Sequence, residues 1–207
     1  MQYKVLIVDD QKMQRKALEA YISEMPDFGV CALLPEAELA VGYCVRNKVD
    51  LVLMDVVMPS GVNGIDACRK IKEKSSETKV ILVTSMLDAS YLSRAKEASA
   101  DALWYKEQAD DELKSVCIRV MSGERIYPDC APTIEMGVAR SSEFTEAELD
   151  VLHLLVSGDT DQEIADKLHV SVWTVRTHIK DMLQKTGYKN RVELAVKARS
   201  NGVVADI

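Results

Sequence analysis

KVLIVDD (4–10) and DLVLMDVVMP (50–59) are built alike: four consecutive apolar side chains run straight into an aspartate. A strand wetted on one face alternates polar and apolar residues, whereas an unbroken apolar run of this length suits a strand buried on both faces. Three more runs of the kind occur, FGVCALL (28–34), KVILVTS (79–85) and ALWY (102–105), spaced about 25 residues apart. Between them the apolar spacing turns helical, as in Met13, Ala17, Leu18, Tyr21 and Ile22. Five such repeats predict an α/β domain over residues 1–121, a (βα)5 doubly wound parallel sheet with helices on both faces.

Downstream, SGERIYPDCAPTIEMGVARSSE (122–143) mixes glycine, proline and serine without period. It reads as a linker, with room for a short helical piece around 131–138. From 144 to 207 the pattern is that of a small all-α domain of four short helices. Thr145 with Glu148 and Thr160 with Glu163 form capping-box patterns, Phe144 and Leu149 are placed as a hydrophobic staple, and Ser171 can cap a third helix stapled by Val170 and Val175. A fourth helix is expected from about Asn190 to Ser200.

The 207 residues, 47% hydrophobic and 29% charged, have the composition of a soluble globular protein. No apolar run approaches the ~20 residues of a membrane helix. The N-terminus reaches acidic residues before a signal-peptide core could form, so a cytoplasmic location and no membrane partner are expected. Cysteines 31, 44, 68, 117 and 130 form no CxxC pair and read as reduced thiols. The histidines at 153, 169 and 178 lack metal-ligand spacing. The net charge of −7 argues against DNA binding only until it is divided along the chain. Within 171–191, Arg176, Lys180, Lys185, Lys189 and Arg191 face Asp181 alone. Local charge is what meets phosphate.

In a doubly wound sheet, ligands bind beyond the carboxyl ends of the strands. Asp9 and Asp10 follow the first strand, Asp55 closes the third, Thr84 closes the fourth and Lys106 follows the fifth. A lone aspartate after a strand is most often a helix cap, and a lone lysine most often a solvated charge; five polar groups at these five positions form a site. Three clustered carboxylates repel unless a cation intervenes, and Mg²⁺ is the natural one because it needs few protein ligands. One carboxylate could then attack phosphorus while Thr84 and Lys106 neutralise the phosphoryl oxygens.

LIVDD (6–10), LVLMDVVMP (51–59), VILVTS (80–85) and the Lys106 segment resemble the receiver domain of two-component response regulators, across all of 1–121. The resemblance implies that Asp55 accepts a phosphoryl group from a sensor histidine kinase. It implies that Asp9, Asp10, Asp55 and the backbone carbonyl of Val57 hold Mg²⁺, and that Thr84 and Lys106 contact the phosphoryl group. Three departures stand out. Four residues, SGVN (60–63), precede Gly64 where the family has three; Leu103 replaces the switch aromatic; and Glu107 replaces the usual proline.

On a helical wheel of 172–186, Val175, Ile179, Met182, Leu183 and Thr186 share one stripe, and Trp173, Arg176, Thr177, Lys180 and Gln184 the opposite face. A solvent face with long donors suits the major groove, and the preceding helix with a short turn at His169–Val170 completes a helix-turn-helix. FTEAELDVL, Gly158, EIA (163–165), SVWTVRTHI (171–179) and Arg191-Val192-Glu193 resemble the output domain of the LuxR/NarL family. By that resemblance Arg176, Thr177 and Lys180 read bases, with Thr174 and Gln184 also set toward DNA, Lys185 and Arg191 touch phosphate, and the active form is a homodimer on double-stranded DNA. Trp173 stands where the family generally carries a smaller or polar residue, and its role is open between a groove contact and an inter-domain contact in the inactive state. The expected function is thus a phosphorylation-dependent transcriptional regulator. Three other readings remain. A haloacid-dehalogenase-type phosphatase wants a second aspartate where Val57 stands. A phosphorylation-independent regulator is suggested by Leu103. A protein adaptor fits poorly with the groove-facing donors.

Overall fold

The structure, a computed structural model, describes residues 2–58, 63–85, 90–106, 110–129 and 133–204. The chain divides into two compact units, one formed by the chain up to Asp129 apart from a short stretch before Tyr91, the other chiefly by the residues after it.

The first unit alternates β1 (Tyr3–Val8), α1 (Lys12–Ser23), β2 (Phe28–Leu34), α2 (Ala37–Arg46), β3 (Leu51–Asp55), α3 (Gly64–Lys74), β4 (Lys79–Thr84), α4 (Ser90–Glu97), β5 (Ala102–Tyr105) and α5 (Asp110–Met121). The predicted (βα)5 architecture is present: a five-stranded sheet in the order β2-β1-β3-β4-β5 with every pairing parallel. All of β3 and β5 and the last four residues of β1 are buried, as unbroken apolar runs require when helices cover both faces. Register decides what gathers at the rim. Val8 pairs with Met54, Asp55 with Val83 and Thr84 with Tyr105, so the residues ending or following these strands lie side by side. The α1 pattern holds only in its second half. Ile22 is buried and Leu18 and Tyr21 pack against the core, but Met13 and Ala17 are exposed because the first turns start at the sheet's rim.

The stretch read as a linker has structure of its own. Ile126 forms a parallel bridge with Ala102, accepting from the Leu103 N–H at 3.1 Å and donating to Asp101 O at 2.9 Å, and the Tyr127 hydroxyl donates to Ala100 O. These contacts cover the outer edge of β5, where unpaired backbone groups would otherwise invite another chain. The helical piece expected around 131–138 is not found among the described residues. A hairpin of β6 (Glu135–Met136) and β7 (Ala139–Arg140) stands there, followed by a 3₁₀ turn over Ser141–Glu143. Gly137 explains it. Its φ is +66°, and a Cβ there would lie 2.0 Å from Thr186 O, while the neighbouring Val138 N–H donates to that carbonyl at 3.1 Å. The hairpin thereby satisfies a carbonyl at a helix end that has no partner within its helix.

The second unit continues with α6 (Glu146–Val156), α7 (Asp161–Leu168), α8 (Val172–Thr186) and α9 (Arg191–Ser200). Thr145 and Thr160 each complete a capping box, and Ser171 and Asn190 accept from the N–H three residues on. Phe144 and Leu149 are buried in one core with Ile164, Val175, Ile179, Met182, Leu194 and Ala198. Val170, the other expected staple, is 40% exposed while Val175 is buried. Between α7 and α8 the chain turns at His169, in the left-handed region at φ 56°, with Val170 N–H donating back to Ala165 O. Such a C-terminal stop lets α8 leave in a new direction after three residues.

Candidate functional site

At the carboxyl rim of the first unit's sheet, one carboxylate oxygen from each of Asp9, Asp10 and Asp55 lies within 4.8 Å of the others. Asp9 follows β1, Asp55 ends β3, and both are buried. The order of the sheet reverses between these two strands, which opens a crevice outside their ends. Lys106 reaches in from beyond β5, its Nζ 2.8 Å from Asp9 Oδ2 and 3.3 Å from Asp55 Oδ1. Its backbone N–H donates to Thr84 O at 2.8 Å, which seats the lysine beside the fully buried Thr84. The structure therefore brings Asp9, Asp10, Asp55, Thr84 and Lys106 together. Val57, half-buried two residues past Asp55, belongs to the same rim.

The electrostatics are short of positive charge: among the described residues, Lys106 is the one cation ion-paired to this group of three carboxylates. Burial pushes the Asp55 carboxyl up to about 7; Lys106 opposes that shift, and the charges of Asp9 and Asp10 reinforce it. For Lys106, burial acts to lower the pKa, but Asp55 and Asp9 outweigh it and hold the ammonium above its usual range. Asp9 is fully engaged, its Oδ1 accepting from the Gln11 N–H at 2.8 Å and its Oδ2 from Lys106. Asp10 is different: its Oδ1 is buried and has no hydrogen-bond partner. An orphaned buried carboxylate oxygen beside two other carboxylates is the donor set of a hard divalent cation, so the residues fit Mg²⁺.

Two contributors were not visible in the sequence. Arg15 donates to the Asp9 carbonyl, and the Gly64 N–H donates to Val56 O at 3.0 Å. A Cβ on Gly64 would sit 1.9 Å from Asp55 O, so only glycine lets α3 start this close to the acidic residue. Asn63 caps that helix, accepting from Asp66 N–H at 2.9 Å. The helix start is thus anchored despite the extra residue in SGVN, whose first three positions lie outside the described residues, as does Glu107. Leu103, in place of the switch aromatic, is buried within β5.

In the second unit, α8 presents an exposed stripe of Trp173, Arg176, Lys180 and Gln184 at helical spacing, with Trp173 76% exposed. Val175, Ile179, Met182 and Thr186 are buried behind it, with Leu183 half-buried. Thr174 and Thr177 are bonded locally, Thr174 N–H to Ser171 Oγ at 3.0 Å and the Thr177 hydroxyl to Trp173 O at 2.9 Å. Lys185, Arg191 and Arg176 are ion-paired within the unit. Lys185 bridges both oxygens of the buried Glu148, at 2.7 and 2.8 Å, and Glu143 O at 3.0 Å. Arg191 Nη1 lies 2.5 Å from Asp161 Oδ1, and Nη2 donates to Asp159 O at 3.2 Å. Arg176 Nε donates to the other oxygen of Asp161 at 2.9 Å. No local spacing in the sequence points to Glu148 or Asp161 as the partners of these cations.

With this geometry in hand, comparison with known proteins gives two family matches: the response regulator receiver domain over residues 5–117, and the luxR family of bacterial regulatory proteins over residues 142–198. The response regulator protein VraR of Staphylococcus aureus is 27% identical over 99% of this chain and 100% of its own. Among solved structures, the two-component response regulator RcsB in a DNA complex superposes with a TM-score of 0.64 at 19% identity, covering 95% of this chain and 98% of that one. A LuxR-family response regulator from Aurantimonas sp. SI85-9A1 gives 0.58 at 25% identity, covering 61% and 89%.

Proposed function

This chain belongs to the response regulator family, a receiver domain joined to a luxR-family regulatory domain, and is a DNA-binding two-component regulator; from that premise we propose that Asp55 is its phosphoacceptor. An Asp55 carboxylate oxygen attacks the phosphorus of a phosphohistidine on a sensor histidine kinase. The O–P bond forms as the N–P bond breaks, and the imidazole leaves. Lys106, already between Asp9 and Asp55, and the Thr84 hydroxyl offer positive charge and a donor to the phosphoryl oxygens. Asp9, Asp10, Asp55 and the Val57 carbonyl would hold Mg²⁺, which supplies charge neutralisation at those oxygens when bound. The observation that carries this reading is the buried, partnerless oxygen of Asp10 beside the two other aspartates.

In the second domain, Trp173, Thr174, Arg176, Thr177, Lys180 and Gln184 face the major groove of double-stranded DNA, and Lys185, once DNA competes with Glu148, and Arg191, still bonded to Asp161, lie toward phosphate. Phosphorylation shifts a population toward a homodimer that presents two such helices to paired half-sites, through differential affinity for two states. RcsB has been solved as dimers bound to DNA, which supports that arrangement here. The protein acts in the cytoplasm.

The test combines intact mass with DNA affinity. The chain gains one phosphoryl group from acetyl phosphate and binds its selected duplex more tightly, and Asp55→Asn does neither. A phosphate response that survives Asp55→Asn defeats the proposal. A second reading, in which DNA binding ignores phosphorylation, draws on the buried Leu103. Beryllofluoride leaving both mass and DNA affinity of the assembly unchanged would select it.

A further inference from the structure

Asp161, at the start of α7, is the meeting point of two arginines from other helices. Its Oδ1 takes Arg191 Nη1 at 2.5 Å and its Oδ2 takes Arg176 Nε at 2.9 Å. The three participants differ in exposure. The Asp161 side chain is 18% exposed and the Arg191 side chain 38%, whereas the Arg176 side chain is 70% exposed. Arg191 is itself fixed a second time, by Asp159 O, and Asp159 is in turn paired with Lys167 at 2.7 Å. The carboxylate is therefore held from behind, with one oxygen directed at the DNA-facing helix.

The atom by which Arg176 is caught matters. A guanidinium has five N–H donors in a rigid plane, and the hydrogen bond here uses Nε alone. Among the described residues its two terminal nitrogens have no hydrogen-bond partner. A planar group pinned at Nε keeps Nη1 and Nη2 side by side at its outer end, in the fork geometry that reaches O6 and N7 of one guanine. Lys180, one turn on, is an exposed point charge without a plane to orient.

We propose that Asp161 is a positioning residue for Arg176, fixing its guanidinium plane so that the terminal nitrogens read a guanine in the major groove. This rests on the reading of Arg176 as base-facing. An unrestrained arginine would still attract DNA, but it would have to order several torsions on binding and could equally settle on a phosphate. The restraint thus converts charge into sequence preference. Its electrostatic sign is opposite to that of a simple DNA contact, because the carboxylate itself repels the phosphate backbone.

The full-length chain, treated with acetyl phosphate, selects duplexes from a random pool, and the recovered duplex is the probe. Each guanine is then replaced by 7-deazaguanine, which removes the N7 acceptor alone. The wild type loses affinity at one guanine per half-site, by less than the roughly 150-fold ceiling of a full bidentate base contact because the O6 hydrogen bond survives. Arg176→Ala loses that sensitivity; if it keeps it, the base-facing reading fails. Asp161→Ala also loses the sensitivity, yet binds a scrambled duplex as tightly as the wild type or more tightly, which a merely structural defect would not produce. In the Arg176→Ala background, Asp161→Ala changes discrimination no further. Should Asp161→Ala prove unfolded by circular dichroism, Asp161→Asn keeps the volume and can accept from only one arginine at full strength, so it gives a reduced version of the same loss. A folded Asp161 variant with the wild-type 7-deazaguanine penalty, while Arg176→Ala lacks it, overturns the proposal and leaves base reading intact.

Discussion

Gly64→Ala sets a helix-favouring substitution against a steric conflict. Alanine is favoured over glycine by about 1 kcal/mol in a helix interior and by less at a first helical position, partly because glycine loses more freedom on folding. Against that, the new Cβ would lie 1.9 Å from Asp55 O, 2.9 Å from Asp55 C and 3.0 Å from Met54 Cγ. Relieving the first contact takes a displacement of roughly 1 Å, and neither side yields readily. The helix start is tied by Asn63 and by the Gly64 N–H to Val56 O, and β3 is paired on both edges. Overpacking of this kind costs about 1–3 kcal/mol, and with backbone on both sides the upper part of that range applies. After the propensity gain, a net loss of about 2 kcal/mol remains, or roughly 5–10 °C in the melting temperature of a domain this size. Because the displaced peptide is that of Asp55, phosphorylation suffers as well. A misplacement of about 1 Å costs on the order of 100-fold in rate. Thermal denaturation and a time course of intact mass under acetyl phosphate measure both quantities. Gly42→Ala is the control, since it lies inside α2 with an ordinary helical backbone and a Cβ there meets only the flexible end of Arg46, at 3.3 Å. A Gly64→Ala chain that melts at or above the wild-type temperature and is phosphorylated at the wild-type rate would refute the reasoning.

Mg²⁺ at one hundred times its dissociation constant should stabilise the first unit by about 2.7 kcal/mol, read as a raised melting temperature, and Asp10→Ala should remove the effect because it takes away the orphaned oxygen. Glu148→Ala should destabilise the second unit by roughly 2–3 kcal/mol in chemical denaturation: it deletes the carboxylate half of a capping box and leaves the partly exposed Lys185 without its carboxylate partner. The pH dependence of that pair has a definite sign. Burial acts to raise the Glu148 pKa, but hydrogen bonds from Lys185 and Thr145 outweigh it and hold the carboxyl below the usual range. Its contribution is therefore complete above the unfolded value of about 4.3 and disappears as pH falls through the lowered folded value. Glu148→Gln should be less stable than wild type at pH 7 and about equal to it at the acid end, with parallel curves as the contrary result. His169→Gly should raise stability by about 1 kcal/mol in the same denaturation assay, because glycine occupies the left-handed stop after α7 without the steric penalty of a Cβ.

What the sequence by itself determined was everything that depends on a few neighbouring residues. Unbroken apolar runs placed five strands, four of them mostly buried while the edge strand β2 is mostly half-buried, Thr-x-x-Glu spacing marked two helix starts, and the position of each acid after its run put it at the rim of a parallel sheet. The one element misread, a helical piece where β6 and β7 stand, arose because Gly137 is constrained by a carbonyl at the end of α8, 49 positions away in the chain. Tertiary structure alone decided which charges meet. It put Lys106 against Asp9 across 97 residues, gave Lys185 to Glu148 across 37, and drew Arg176 and Arg191 onto one carboxylate. Periodicity and capping are written in the spacing of adjacent side chains, whereas an ion pair depends on a distance between elements that exists only after the core has packed.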